Sequence, residues 1–517
     1  MSSIAHPGSC RTTGFETEKD HHAAPNAPAR ADPRFARGRT RFRPSRESLS
    51  RHDWIKEFSA PRKDIAALGS EGYCIAADAQ QTALYVIARS DSGVVAGVGR
   101  LMRGMRYQPG KLELPALAIT EEPRMPNRGM YLWARKHFFG QPDQVDRYIE
   151  EFALWGCNAL AFWFEMGMFD RFDDPEAQRW IEMYRRCYAT ARRMGMKTGL
   201  LMVVNDAYKT SPEQWRIEPI IGCPNHYLCP SQPGSLKQMI AWQEQVLKAL
   251  PPIDIFNLFP ADTGGCSCAD CTPWPTRGFW RVAKPLAEKI HELSPKTAIW
   301  IDTWHVNHPT FGGKDWQNLV DMLDSSKERP EWLAGFEVGL APRHKYAALS
   351  AAERDHYNKA RMPLMVFPDI SMWGNHPGML VNKDYWKSLQ AELIDYSPAL
   401  LKGGWPYSEG WNTDIASVMF LSWFWNPKKS VESVLDEYAS CYFGPAAATG
   451  RQLLDLLDDG NNDPDRKEQI RLRGAGMDRT AIRHTRDGRT TLLKAADLPL
   501  RGFDLSRGPQ YLIPLCK

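Results

Sequence analysis

Six acidic residues follow apolar runs of strand length in the middle of the chain. In a parallel sheet closed into a barrel, these positions meet at the end where barrel enzymes bind their substrates. Carboxyl groups that meet there can protonate a leaving oxygen or act as nucleophile or base on a sugar. Any one acid after a strand is more often a helix cap or turn residue, but six together predict a site. They are Glu165, Asp206, Asp262, Asp302, Asp369 and Glu409.

Aromatic side chains accompany these acids, and their faces suit flat, partly apolar ligands such as sugar rings. The chain has 19 Trp, of which 18 lie between Trp133 and Trp425. Core packing accounts for most of them, yet the density indicates a carbohydrate site. The residues we predict to bind the sugar are Arg135, Glu165, Asp206, Asp302, Trp304, His305, Trp373, Trp405 and Tyr407.

The elements that must position these residues are eight apolar runs, each followed by an amphipathic segment. The predicted strands cover 129–134, 158–164, 198–204, 253–259, 297–303, 334–339, 363–367 and 403–407. The predicted helices cover 143–155, 175–194, 234–250, 278–293, 315–325, 349–360, 384–395 and 412–424. This count predicts an α/β fold with a (β/α)8 barrel. A doubly wound open sheet is the alternative, but it usually carries a Gly-rich phosphate loop.

The chain divides into five predicted segments. Residues 1–53 form a disordered tail, 54–125 a small α+β domain, 126–428 the barrel, 429–460 C-terminal helices and 461–517 a poorly patterned basic tail. The small domain has predicted strands at 73–76, 83–88 and 114–119 and a helix over 93–104. Gly97 and Gly99 in that helix lack the spacing of a nucleotide fingerprint, so we interpret them as close helix packing.

The net charge of +4 is unevenly distributed. The tails carry 10 Lys/Arg against 6 Asp/Glu and 12 against 7, which leaves 43 against 48 in the body. An acidic body argues against nucleic-acid binding. Because no run of 18 apolar residues and no signal-peptide core is readable, we expect no membrane span and a cytoplasmic location. An acidic mouth favours neutral or amino sugars over uronates, unless Arg135 or Lys136 points into it.

The segment RGMYLWARKHFF (128–139) resembles the opening barrel strand of family 20 β-hexosaminidases. The residues before it are similar to the small α/β domain that precedes the barrel in hexosaminidases and in family 67 α-glucuronidases. The resemblance covers roughly residues 70–200, and WPYSEGWNTDI (405–415) looks like a less characterised bacterial branch of hexosaminidase-like barrels. It implies a glycosidase that acts on a carbohydrate or glycoconjugate and needs no cofactor for catalysis.

One departure from family 20 affects the mechanism. Family 20 enzymes place an adjacent Asp-Glu pair after strand four, whereas this chain reads PADTG (260–264), with Asp262 and no Glu. Substrate-assisted cleavage of an N-acetylhexosamine is therefore not carried over. Two pairings stay open, Asp262 as acid/base with Asp369 as nucleophile, or Asp262 with Glu409. A carboxyl separation of about 5–5.5 Å indicates retention and about 6.5–9.5 Å inversion. A barrel that binds carbohydrate without cleaving it is the alternative function.

Five of the eleven cysteines lie within residues 223–271. Cys266, Cys268 and Cys271, with Cys229 or Cys223 upstream, have the ligand count of a four-thiolate zinc site, and we predict the set that contains Cys229. Such a site has no open position, so the zinc would be structural. Reduced thiols or one disulfide are the alternative. A zinc-dependent hydrolase such as a deacetylase ranks last, because its His/Asp ligand set cannot be assembled from the sequence.

Overall fold

The computed structural model describes residues 67–77, 84–108, 111–113, 118–132, 142–217, 226–260, 265–303, 315–325, 329–340, 350–371, 381–408 and 414–458. Within these residues a small antiparallel sheet precedes a closed parallel barrel. The (β/α)8 class predicted from the sequence is confirmed. None of the described helices is long and apolar enough to cross a membrane.

The small domain contains a three-stranded antiparallel sheet, a helix and a hairpin. Its elements are β1 (Tyr73–Ala77), β2 (Leu84–Ala88), α1 (Asp91–Gly104), β3 (Arg106–Gln108), β4 (Lys111–Glu113) and β5 (Ile119–Glu121). The strand predicted at 114–119 begins only at Ile119, and residues 114–117 lie outside the described ranges. A Cβ at Gly97 would come within 2.4 Å of Val86, and one at Gly99 within 1.7 Å of the Leu154 carbonyl oxygen. Close packing therefore explains both glycines.

The barrel has eight parallel strands, each paired with its neighbours around a closed ring. They are β6 (Asn127–Leu132), β7 (Ala159–Trp163), β8 (Lys197–Val203), β9 (Ile255–Phe259), β10 (Ala298–Asp302), β11 (Leu333–Leu340), β12 (Leu364–Ser371) and β13 (Leu401–Gly404). A two-residue strand, β14 (Tyr407–Ser408), pairs with the end of β12.

Helices follow the strands as the amphipathic pattern predicts. They are α2 (Pro142–Leu154), α3 (Pro175–Arg193), α4 (Ser235–Ala249), α5 (Trp280–Leu293), α6 (Asp315–Ser325), α7 (Ala351–Ala360), α8 (Lys383–Asp395) and α9 (Asp414–Trp425), then α10 (Val431–Phe443) and α11 (Ala447–Leu457). The sequence marks several of their starts. Ser350 and Glu353 form a reciprocal capping box at α7, and Asp174 accepts from the backbone N–H of Glu176 before Pro175 opens α3.

The buried apolar residues of the barrel form two clusters, one outside the strands and one inside them. The outer cluster joins outward-facing strand residues to the helices. The inner cluster consists mainly of alternate strand residues, among them Tyr131, Trp163, Trp300, Phe367 and Trp405. Side chains on a strand alternate between its two faces, so near-continuous apolar strands are needed to fill both clusters. The inner cluster makes the barrel interior a packed core whose upper layer faces the substrate-binding end.

Two predicted strand ends were wrong, and both matter for the site. The strand predicted at 363–367 continues to Ser371, so Asp369 lies inside β12 and pairs with Tyr407 in the adjacent strand instead of following the strand. The strand predicted at 403–407 is split into β13 and β14. Pro406 lies at the break and has no backbone N–H to continue a ladder.

Candidate active site

Two acidic side chains meet at the C-terminal end of the barrel. Asp302 is the last residue of β10, and Glu337 lies directly opposite it on β11. Both are fully buried, with 0% of their surface exposed. The side-chain amide of Asn257, on β9, donates a hydrogen bond to Glu337 Oε2. Three consecutive strands thus place two carboxyl groups and one amide in a single inward-facing cluster.

The electrostatics of this cluster favour a protonated acid. Burial raises the pKa of Glu337 well above its usual range, and the adjacent Asp302 carboxyl raises it further. The Asn257 amide and the Trp405 indole oppose the shift but do not reverse it. Among the described residues, no ion pair neutralises Glu337. A like charge in a site of low dielectric disfavours the ionised form, so the adjacent Asp302 carboxyl acts in the same direction as burial.

Aromatic rings line the same inner face of the barrel as the acid cluster. Tyr131, Phe367 and Tyr407 form a trio whose ring centroids are 5.0–5.7 Å apart. On the opposite side, Trp163 and Phe259 have centroids 4.8 Å apart. These contacts give the upper barrel an apolar wall that strengthens electrostatic interactions within it.

Asp206, a predicted sugar-binding residue, forms hydrogen bonds with the backbone of the loops around it. It is 1% exposed and accepts hydrogen bonds from the backbone N–H groups of Met166 at 2.5 Å and Ala207 at 2.8 Å. Burial raises the pKa of Asp206 well above its usual range, and the neighbouring Glu165 carboxyl adds to the shift. Asp206 therefore holds the short turn at 166–168 after β7, directly beside half-buried Glu165. Whether either acid also contacts a sugar stays a prediction.

The remaining predicted site residues divide into three groups. Trp405 is fully buried and Tyr407 is 8% exposed, so both belong to the inner wall. For Asp369 only the backbone position in β12 is described. The others lie outside the described residues, and their roles stay predictions: Arg135, Asp262, Trp304, His305, Trp373 and Glu409.

Sequence reasoning missed Glu337 and Asn257, because both residues lie inside predicted strands, whereas the predicted site residues follow the strands. A signal was present in both strands. Strands buried on both faces read as near-continuous apolar runs, so an acid inside AGFEVG (334–339) and an amide inside IDIFNLF (253–259) break the pattern. Acids are almost never fully buried without a partner, and such a break marks a functional candidate.

The four predicted cysteine ligands converge beside this end of the barrel. One metal-ligating atom from each of Cys229, Cys266, Cys268 and Cys271 lies within 4.8 Å of all the others. The scattered cysteines that the structure describes, Cys74, Cys157, Cys187 and Cys441, are all buried and form no disulfide, as expected.

A cavity of about 1100 Å³ lies at the opposite end of the barrel. Its lining includes Tyr73 of the small sheet, Met125 just before β6, Leu401 at the start of β13 and Trp425 at the end of α9. These residues mark the N-terminal ends of the strands, whereas catalysis in such barrels takes place at the C-terminal ends. The cavity is therefore not a continuation of the acid cluster.

Comparison with known proteins places the fold among glycoside hydrolases. A family 89 glycoside hydrolase from Clostridium perfringens in complex with PUGNAc superposes with a TM-score of 0.53 at 12% identity, over 76% of this chain and 50% of that one. A family 20 β-N-acetylglucosaminidase gives 0.50 at 15% identity, over 74% and 87%. A family 138 enzyme targeting pectin rhamnogalacturonan II gives 0.53 at 10% identity, over 80% and 51%.

The chain thus spans about half the length of the family 89 and family 138 enzymes. No protein-family model and no curated protein sequence matches it. The three structural families agree on a barrel of the glycoside hydrolase type, and the similarity is not specific to family 20. At these identities the likeness establishes the fold alone.

Proposed function

We propose that the protein is a glycoside hydrolase that works at the C-terminal mouth of its barrel. The observation that carries the proposal is the buried Asp302–Glu337 pair, with Asp302 at the C-terminal end of β10 and aromatic rings lining the same barrel interior. A carboxyl group that keeps its proton near neutral pH is what the protonation of a leaving glycosidic oxygen requires. The fold shared with glycoside hydrolases supports this assignment.

The pair acts as one functional group. The two catalytic carboxyls of a glycosidase lie about 5–5.5 Å or 6.5–9.5 Å apart, so that an anomeric carbon, with or without a water, fits between them. Asp302 and Glu337 are register partners on adjacent strands, and we propose that their carboxyls lie too close together to hold a sugar between them. We assign the pair as the proton donor. Glu337 carries the proton until it is transferred to the substrate, and Asp302 lies beside it at the end of β10. The second carboxylate comes from Asp262, Asp369 or Glu409.

The substrate class follows from the charge of the mouth. The pair keeps one negative charge after it binds a proton, and the predicted acids at the other strand ends add to it. A neutral or amino sugar is therefore favoured over a uronate. Aryl glycosides of GlcNAc, GalNAc, galactose and glucuronic acid cover these alternatives, and turnover is expected on at least one of the first three.

Variants of the proposed proton donor and of the candidate second carboxylates distinguish the roles of these residues. We expect Asp302→Asn and Glu337→Gln to lower kcat by about 10²–10⁴-fold for substrates with poor leaving groups, which need a proton donor, and less for activated aryl groups. One of the variants Asp262→Asn, Asp369→Asn and Glu409→Gln removes the nucleophile. That variant should lose activity on substrates with poor leaving groups and on activated aryl glycosides alike. If the enzyme is retaining, added azide restores its turnover of activated substrates. Asp384→Asn is the matched control, because this α8 side chain is 92% exposed.

Two results would contradict the proposed function or the role of the pair in it. Absence of turnover on all four aryl glycosides, together with measurable binding of the free sugars, would replace this proposal with a carbohydrate-binding barrel that does not cleave its ligand. Equal loss of activity in Asp384→Asn and Glu337→Gln would remove the pair from the mechanism.

A further inference from the structure

Four cysteine side chains from two separate loops converge beside the barrel mouth. Cys229 lies in the connection between β8 and α4, and Cys266, Cys268 and Cys271 lie in the connection between β9 and α5. Three of the thiols are buried and Cys268 is exposed. The two connections follow adjacent strands, so a metal ion bound by Cys229 together with the other three cysteines ties two neighbouring loops together.

The distances between the sulfur atoms are those of a metal site. Cys229 Sγ lies 3.7 Å from Cys268 Sγ and 3.8 Å from Cys271 Sγ. Four thiolates bound tetrahedrally to zinc at about 2.3 Å have their sulfur atoms about 3.8 Å apart. A disulfide needs about 2.05 Å, so neither of these two pairs is oxidised. All four ligand atoms lie within 4.8 Å of one another, so a single ion can contact each of them.

The surrounding groups are arranged to stabilise thiolates. Ser231 Oγ lies 3.0 Å from Cys271 Sγ and accepts a hydrogen bond of 2.5 Å from Arg281 Nη1. Because Arg281 can only donate, the Ser231 hydroxyl proton is left to point at the sulfur. Partners of this kind orient ligands and offset the negative charge of a four-thiolate site.

We propose that Cys229, Cys266, Cys268 and Cys271 bind one zinc ion, which clamps the loop after β8 to the loop after β9. With four thiolates the ion has no open position, and its role is structural. This proposal is independent of glycoside hydrolysis, since it concerns the shape of the loops and not the reaction.

The clamp is joined to the end of β9 by packing. Trp274 donates its indole N–H to the Pro260 carbonyl at 3.0 Å. Its ring lies against Gly265, where a Cβ would come within 2.1 Å of it. Cys271 is held in turn by hydrogen bonds from its N–H to Cys268 O and from Gly278 N–H to its own carbonyl. Loss of the ion is therefore expected to loosen the chain up to Pro260.

The first test measures metal in the full-length protein, purified under reducing conditions. We expect one equivalent of zinc per chain by elemental analysis, and at least a tenfold loss in Cys229→Ser and Cys271→Ser. Cys187→Ser and Cys441→Ser are the matched controls, because these cysteines are also buried but lie outside the cluster, and they should retain the metal. Zinc content that falls equally in all four variants would overturn the assignment.

A second measurement uses the wild-type chain, so that misfolded variants cannot decide the outcome. Cobalt titrated into chelator-treated protein should give the visible absorption of a tetrahedral thiolate site, saturating at one equivalent. Exposed Cys268 should react quickly with a thiol reagent in the metal-free protein and slowly once zinc is added. A reduced protein that binds neither ion, or a Cys268 whose reactivity does not respond to zinc, contradicts the proposal. Neither readout depends on glycosidase activity.

Discussion

The two ends of the barrel bury charged groups in opposite ways. At the N-terminal end, Arg128 is 1% exposed and bonds to Glu71 Oε2 at 2.9 Å, to the Gly156 carbonyl at 2.8 Å and to the Met125 carbonyl at 2.9 Å. Its guanidinium also lies 5.0 Å from the Trp425 ring. At the C-terminal end, Glu337 has a second acid and an amide for partners and no cation among the described residues.

The pKa values reflect this difference. Burial acts to raise the pKa of Glu71, but Arg128 and hydrogen bonds from Ser92 and Asn158 lower it overall. Burial raises the pKa of Glu337, and Asp302 adds to the effect. A buried charge with matched partners holds the small domain on the barrel, whereas two acids buried side by side are a form of strain that persists at functional sites. We therefore assign the first network to stability and the second to chemistry.

The largest expected effect separates activity from stability at the C-terminal end. Glu337→Gln and Asp302→Asn should reduce kcat by at least about a hundredfold and leave the unfolding midpoint unchanged or higher, because each removes one of two acids that are buried side by side. Steady-state kinetics and urea unfolding on the same preparations provide both numbers. A variant that loses stability and activity together would show that the pair is part of the structural core.

The next effect belongs to the N-terminal end. Arg128→Met leaves Glu71 without its cation and two buried carbonyls without a donor, and should lower the free energy of unfolding by about 3–5 kcal/mol. The folded fraction should keep its kcat. Arg171→Met is the control, because the Arg171–Asp173 pair is exposed and should contribute less than about 1 kcal/mol. Similar losses in the two variants would remove the distinction between the ends.

Features of the fold that depend on residues close together in the sequence could be predicted, whereas contacts between distant residues could not. The eight strands and their helices were predictable because both faces of each strand are buried, which leaves near-continuous apolar runs such as ALAFW in β7. The grouping of Cys229, Cys266, Cys268 and Cys271 was likewise predictable from their spacing. The meeting of Asp302 with Glu337 was not, because it depends on the pairing of β10 with β11.

The N-terminal network was missed for a similar reason. Arg128 belongs to the motif that carried the family resemblance, yet its partner Glu71 is 57 residues away in another domain. No local pattern reports a contact at that separation. Asp206 shows the reverse, since its place after β8 was predicted correctly, while its hydrogen bonds to Met166 and Ala207 were not.

The smallest expected effect is a dependence of stability on pH at the N-terminal end. Burial acts to raise the pKa of Glu437, but Arg103 and Lys429 outweigh it and lower the pKa to about 2. This pKa lies below that of a glutamate in the unfolded chain. The contacts of Glu437 with Arg103 and Lys429 therefore stabilise the fold above pH 4.5, and this stabilisation is lost as the pH falls toward 2. Glu437→Gln should therefore be less stable than wild type by about 1–3 kcal/mol at pH 7, and the gap should narrow at pH 3. A gap that does not change with pH would mean that Glu437 is not held ionised by its partners.

The central claim is that Asp302 and Glu337 share a proton near neutral pH, and infrared spectroscopy tests it most directly. The difference spectrum of wild type minus Glu337→Gln at pH 7 should show the C=O stretching band of a protonated carboxylic acid, shifted in deuterium oxide. The same band should be absent from a difference spectrum with the exposed control Asp384→Asn. If the wild type shows no such band at pH 7 and gains it only below the ordinary carboxyl pKa, both acids are ionised and the pair is not the proton donor.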